Sequence, residues 1–328
     1  MSKTKQESPS PQEQSPTSAG PEKAGRVAVS HVLDDISENI LPGGLETNEA
    51  HELVTAFREN PVQSLAHVRQ ELCALYQQPN LGEQERTELL TRHLRNYASL
   101  IVTLDHEAFG ATDDGTVHRG VPGYIPDRFI DMGRNPSLDS QRRDGRDQIR
   151  IDKAAIINRY NDTLMDVFTA YHTTTNTPLT EGQIVTRLLL AAFNDIPYDY
   201  ESYNNNGSSV DAGVVNLHEL SKGLCRHKVL IYEVLAQACG LESRLLKCHV
   251  NGGRHAANAT FFDGHWYLTD PTIADYATRD DGTKLWRPNA VKLDHQPNPS
   301  DILTIHQRYS SDTYVYRFHD DMYWRLDV

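Results

Sequence analysis

Between Thr47 and Asp105, apolar residues recur at steps of three and four. Ala50, Leu53, Val54 and Phe57 mark one helical face, and Pro61 stops that helix. Leu90, Leu94, Tyr97, Ile101 and Leu104 keep the spacing and predict the longest helix of the region. The same period returns with Ile156, Tyr160, Leu164, Phe168 and Tyr171. Another helix is predicted from Thr180, where Thr180 and Gln183 fit a capping box ahead of Ile184, Leu188 and Phe193. Val229, Ile231, Val234, Leu235 and Ala238 give a broad apolar face that Gly240 ends. Strand signals follow. SRLLKCHV, RHAANATFF and HWYLTD are separated by Asn251-Gly252 and Asp263-Gly264, the strongest short-range hairpin dipeptides. The pattern predicts an α+β unit, a helix followed by a three-stranded antiparallel meander. YVYRF and MYWRLDV near the end read as a final hairpin extending the same sheet.

Composition divides the chain. Residues 1–26 hold four prolines and few apolar side chains, so they are expected to be a disordered leader. A helical region covers 27–109, a candidate cap or partner-binding module. Residues 110–150 carry six glycines among many Asp and Arg and read as a linker, or as an insertion able to cover a site. The domain that carries the chemistry spans 151–328, with a polar loop at 200–209.

A formal net charge of −13 argues against nucleic acid as a partner. No run approaches a membrane span, and MSKTKQESPS lacks an apolar signal region. Four cysteines in 328 residues make no disulfide framework. A cytoplasmic location is expected, with specialised secretion left open.

The chemistry gathers around SKGLCRHKVL. Cys225 falls in the first turn of the predicted helix, where the positive end of the macrodipole favours thiolate. Arg226, His227 and Lys228 add positive charge, although three such residues at a helix start can also be solvated, the reading preferred for His227. With Asp263-Gly264 as a two-residue turn, Phe261 faces Trp266, Ala259 faces Leu268 and Ala257 faces Asp270. His255 and Asp270 then share a sheet face as diagonal neighbours, roughly 7–8 Å apart between backbones. That is within reach of a His–carboxylate hydrogen bond. A thiol on a helix start beside such a pair suits nucleophilic acyl transfer. The imidazole holds and returns the proton, the carboxylate orients the imidazole, and the Cys225 N–H helps bind the oxyanion.

GLCRHKVLIYEVLAQACGLESRLL followed by RHAANATFFDGHWYLTDPT resembles the core of the transglutaminase-like superfamily, over residues 184–276. The resemblance implies a papain-like fold with Cys225 as nucleophile, His255 as base and Asp270 as orienting acid. Gly223, Trp266, Pro271 and Thr272 match the motif flanks. GLCRH is also similar to the peptidase-like domain attached to some plant Raf-like kinases. Many superfamily members carry a tryptophan upstream of the cysteine, but Trp266, Trp286 and Trp324 all lie downstream. Tyr198, Tyr200 or Tyr203, or an Asn from 204 to 206, are the candidate replacements for oxyanion binding. Asn258 departs from the apolar or aromatic residue usual at its place.

The function expected is hydrolysis of amide bonds in a protein or peptide substrate. A transglutaminase or glutamine deamidase would use the same triad, and an inactive binding module would keep the fold without turnover. No cofactor and no metal are expected. Cys248 and His249 are adjacent on a strand and point to opposite faces, so they chelate poorly with Cys225 and His227. The RDDGT stretch at 279–283 lacks calcium-loop spacing. Cys73 and Cys239 read as core thiols.

Overall fold

Two helices meet at Pro61 in the structure, a computed structural model. It describes residues 48–76, 82–110, 124–125, 129–131, 148–169, 171–172, 177–199, 214–250, 253–278, 284–293, 296, 302–305, 307–310 and 313–316. Helix α1 (Asn48–Glu59) ends at Asn60, and α2 (Pro61–Tyr76) starts with proline at its first position, where the missing N–H costs nothing. Asn60 caps the new helix, its Oδ1 accepting from the Gln63 N–H at 3.2 Å. Pro61 therefore stops one helix and opens the next. Helix α3 (Glu83–Phe109) buries Leu90, Leu94, Tyr97, Ile101 and Leu104, the residues whose spacing predicted it.

Strands β1 (Phe129–Asp131) and β2 (Gln148–Arg150) come from the glycine-rich stretch. The single helical period seen from Ile156 to Tyr171 is broken into α4 (Lys153–Arg159) and α5 (Asn161–Thr169) at Tyr160. The Tyr160 backbone leaves helical geometry there, and its hydroxyl donates to Asp195 at 2.7 Å. Tyr171 lies instead in β3 (Tyr171–His172), which pairs with β4 (Thr177–Pro178). Helix α6 (Glu181–Asp195) opens with the predicted capping box. The Thr180 N–H donates to Gln183 Oε1 at 2.9 Å, and the Gln183 N–H donates to Thr180 Oγ1 at 3.3 Å. Strand β5 (Val214–Asn216) joins β2 in parallel to complete a small sheet, and a short 3₁₀ turn follows.

Helix α7 (Cys225–Ala238) lies against the main sheet, with β6 (Glu242–Val250), β7 (Gly253–Phe262), β8 (His265–Thr278) and β9 (Lys284–Lys292). Strand β10 (Ile302–Ile305) adds to β6 in parallel, so the order is β10-β6-β7-β8-β9. The expected three-stranded meander is thus the centre of a five-stranded sheet. The last described pair, β11 (Gln307–Ser310) with β12 (Thr313–Tyr316), is a separate two-stranded ribbon and does not extend the main sheet. Residues 317–328, which include the end of YVYRF and all of its expected partner MYWRLDV at 322–328, lie outside the described residues, as do 1–26, 200–209 and 279–283. The class is α+β. No described helix is long and apolar enough to cross a membrane.

One hydrophobic core runs from Leu53 and Phe57 through Leu94 and Tyr97 to Ile231 and Leu235, so α1–α3 and α7 share it. The Tyr97 hydroxyl donates to the Ala238 carbonyl at the end of α7. There the chain makes a Schellman turn. The Leu241 N–H donates to Ala236 O at 2.9 Å and the Gly240 N–H to Gln237 O at 2.8 Å. Gly240 has φ +70, and a Cβ on it would lie 2.2 Å from the Ala66 Cα of α2. From the 110–150 stretch, Tyr124 and Ile125 are buried. Tyr124 donates to Asp105 at 2.7 Å and accepts from Lys153 at 2.6 Å, while the Ile125 N–H donates to Gln237 at 3.1 Å.

Candidate active site

The nucleophile candidate is the first residue of α7. Leu224 occupies the N-cap in extended geometry and has no side-chain oxygen to cap with. The helix start is held from the other direction. His227 Nδ1 accepts from the Leu224 N–H at 3.1 Å. One residue earlier, Gly223 pairs with the segment after α6. Its N–H donates to Pro197 O at 3.0 Å, and the Asp199 N–H donates to Gly223 O at 3.0 Å. A Cβ at 223 would lie 3.0 Å from the His227 Cβ and 3.2 Å from Ile196 Cγ2, a close approach that favours glycine. Through this pairing Tyr198 is the register partner of Gly223, two residues before Cys225. The other tyrosine candidates, Tyr200 and Tyr203, and Asn204–Asn206 lie outside the described residues.

The base and acid candidates come from β7 and β8. Asp263 and Gly264 have φ of +48 and +77, the left-handed pair that a two-residue turn of this type requires. The register follows as read from the sequence: Phe261 opposite Trp266 and Ala259 opposite Leu268. The ladder stops at Asn258–Thr269, one pair short of the expected Ala257–Asp270. The side chains cover the remaining distance, and His255 Nε2 meets Asp270 Oδ2 at 2.6 Å. Asp270 is itself held by the residues that follow. The Thr272 N–H and hydroxyl donate to Asp270 Oδ1 at 2.8 and 2.5 Å, an Asx-type turn through the buried Pro271.

Cys225 completes the row. Its sulfur faces the His255 ring and the Ala256 N–H, both of which favour the thiolate. With Nε2 taken by Asp270, Nδ1 is the ring nitrogen left for the thiol. Burial works to raise the Cys225 thiol, but the His255 contact and the Ala256 N–H outweigh it and hold it below the ordinary thiol range. Burial works to lower His255, yet the Asp270 carboxylate and the Cys225 sulfur push it up to about 10. Burial works to raise Asp270 as well, and is overcome by His255 and by the Thr272 donors. Each partner thereby favours the charged form of the next: thiolate, imidazolium and carboxylate. Cys73 and Cys239 differ. Burial raises Cys73 and pushes Cys239 up to about 12.

The basic run has another role than the one expected. His227 is buried, and burial together with Arg226 lowers it to about 3, so it is neutral and not a solvated cation. Lys228 is buried too, and its ammonium donates to Phe193 O at 2.6 Å at the C-terminal end of α6. That cation serves a helix end. Trp266 is buried on β8, 5.5 Å from the Phe261 ring with the Arg244 guanidinium 5.0 Å above it.

Asn258 explains its own departure from the apolar pattern. It faces α7, and its amide donates to Glu233 Oε2 at 2.6 Å and Val229 O at 3.2 Å. Glu233 also accepts from Gln237 at 3.2 Å and Ser243 at 3.4 Å. Burial raises Glu233 to about 8 against the pull of those donors. Sequence reasoning missed this network, the His227 cap and the Ala256 donor; the one available signal was an Asn in a buried strand. Among the described residues, no group of three or more His, Cys, Asp or Glu could hold a metal ion.

Comparison with curated proteins finds no match to the chain. Residues 136–263, which include Gly223, Cys225, His227 and His255 but end before Asp270, match the family model described as EDR1/CTR1/ARMC3, peptidase-like. This stretch is therefore similar to that peptidase-like domain, the likeness already carried by GLCRH.

Proposed function

We propose that the chain is a cysteine-dependent hydrolase of amide bonds in a protein or peptide, built on a papain-like core of the transglutaminase-like type. The observation that carries this reading is the row Cys225–His255–Asp270, in which His255 meets Asp270 at 2.6 Å and the sulfur sits beside the ring at the start of α7. In the first half-reaction the Cys225 thiolate attacks the amide carbon, a C–S bond forms and the carbonyl π pair moves to oxygen. The Cys225 N–H supports that oxyanion. The pair returns, the C–N bond breaks, and the His255 imidazolium gives its proton to the departing amine. In the second half-reaction neutral His255 takes a proton from water as its oxygen attacks the thioester carbon. The C–S bond then breaks, releasing the acid and restoring thiolate and imidazolium. Asp270 keeps the ring oriented and stabilises its charged form throughout.

Alkylation by iodoacetamide followed by mass spectrometry tests the site. One thiol is expected to react below pH 7 in the wild type, and that reactivity is expected to disappear in Cys225→Ala. Equal reactivity of the two proteins sinks the reading. Mass analysis of products from a peptide library, with and without a primary amine, then separates hydrolysis from acyl transfer. An amine adduct as the main product would favour a transglutaminase.

A further inference from the structure

The start of α7 combines two features that are unusual together. Its N-cap is Leu224, a residue that cannot accept from the first-turn N–H groups, where Ser, Thr, Asp or Asn are preferred. Its third residue, His227, is buried at 7% exposure, accepts from the Leu224 N–H through Nδ1, and leaves Nε2 without a hydrogen-bond partner among the described residues. Since Nδ1 accepts, Nε2 carries the proton of the neutral ring. A chain that needed only a helix cap would use a short oxygen side chain at 224, which avoids burying an unpaired N–H. That solution would set a side-chain oxygen on the Arg226 or His227 N–H, beside the Cys225 N–H that an acyl-transfer site offers to the substrate oxygen.

We propose that His227 is a positioning residue for Cys225. It secures the Gly223–Leu224 turn in place of an N-cap side chain, so that the sulfur is held against His255 and Ala256 with no N-cap oxygen beside the Cys225 N–H. The ring is sized for this. It lies against Gly223, whose added Cβ would sit 3.1 Å from Nδ1, and Gly223 is in turn pinned by Pro197 and Asp199. The imidazole thus joins the nucleophile turn to the segment that carries Tyr198. Low basicity keeps the arrangement in place, because a ring held near pKa 3 stays an acceptor at Nδ1 across the working pH range. The inference rests on the cysteine acyl-transfer reading for its purpose. Its test reads only the sulfur and needs no turnover.

The experiment is the pH profile of Cys225 alkylation by iodoacetamide in the full chain, for wild type, His227→Gln, His227→Leu and Gly223→Ala. Glutamine at this position can reach back to the N-cap N–H as in a capping box and should keep the wild-type profile within about twofold. Leucine fills similar space without an acceptor and should raise the apparent thiol pKa, slowing alkylation at pH 6 by about tenfold. Gly223→Ala should displace the ring and shift the profile in the same direction, by less. A wild-type profile in both the leucine and the alanine variants would overturn the proposal, as would a glutamine variant as slow as the leucine one. If the leucine variant fails to fold, the contrast between Gln and Gly223→Ala decides by the same criterion. An ordinary thiol pKa in the wild type would overturn the functional reading itself, an outcome distinct from variants that merely fail to differ.

Discussion

Asp270 and Glu233 are both carboxyl groups buried beside α7, at 1% and 2% exposure, one near each end of the helix. Asp270 meets an imidazole that can become a cation and two donors from Thr272, and it is held ionised. Glu233 meets Asn258, Gln237 and Ser243, all neutral, and burial pushes it up to about 8. The same loss of water thus ends in opposite charge states. A close partner able to carry charge decides the outcome, because neutral donors do not repay the desolvation of an anion. The N-terminal end of α7 meets a row whose members favour one another's charged forms, while the C-terminal half is tied down by neutral hydrogen bonds and apolar packing.

Substitutions at the two ends should fail in different ways. Asp270→Asn keeps the shape but removes the charge that supports the imidazolium. Under the proposed chemistry, turnover should fall by roughly 10³–10⁴ with the melting temperature little changed, as steady-state assay and calorimetry would show. A comparable loss of stability would instead make Asp270 a structural residue. At the other end, Gly240→Ala must adopt a left-handed backbone and drive its Cβ into α2 at Ala66. Denaturant unfolding should register a loss of about 2–5 kcal/mol, and thiol alkylation measured on the folded fraction should keep its pH profile.

Glu233→Gln tests the charge assignment directly. The folded value near 8 lies above the ordinary 4.5, so folding takes up a proton between those limits. Wild-type stability from this group is therefore full below about pH 4.5 and is lost as pH rises to 8. Glutamine removes that slope. Urea midpoints should favour the variant increasingly from pH 5 to pH 8, by on the order of a few kcal/mol at the upper end. A constant difference across that range would mean that Glu233 is already ionised. Tyr97→Phe is the mildest change, losing the hydroxyl bond to Ala238 O at the helix end. It should cost about 1 kcal/mol in chemical denaturation. No measurable cost would show that apolar packing alone holds that end.

What could be read from the sequence was set by neighbours along the chain. The Thr180–Gln183 box and the Asp263-Gly264 turn are local devices, and the turn fixes the register that brings His255 toward Asp270. Cys225 at a helix start followed from periodicity and Gly223. The features that escaped depend on residues distant in sequence. Lys228 looks like a solvated cation until the end of α6 arrives above it. His227 seems exposed until Ile196 and Gly223 close over it. Asn258 reads as an anomaly until Glu233 supplies its partner. Strand β10 carries no local mark of its parallel place beside β6, because parallel pairing uses no turn signal.

Ala256 lies two residues past the last β7–β8 pair, and its N–H faces the Cys225 sulfur and favours the thiolate. The sheet is thus unfinished at this point, and the sulfur takes the acceptor role that a neighbouring carbonyl fills elsewhere. A thioester sulfur is a far poorer acceptor than a thiolate, so acylation would weaken this contact and deacylation would restore it. Where β8 leaves the ladder is then a kinetic parameter of the site. Under the proposed chemistry, a variant that extended the ladder by two pairs, as far as Ala256, would draw this donor toward β8 and away from the departing sulfur.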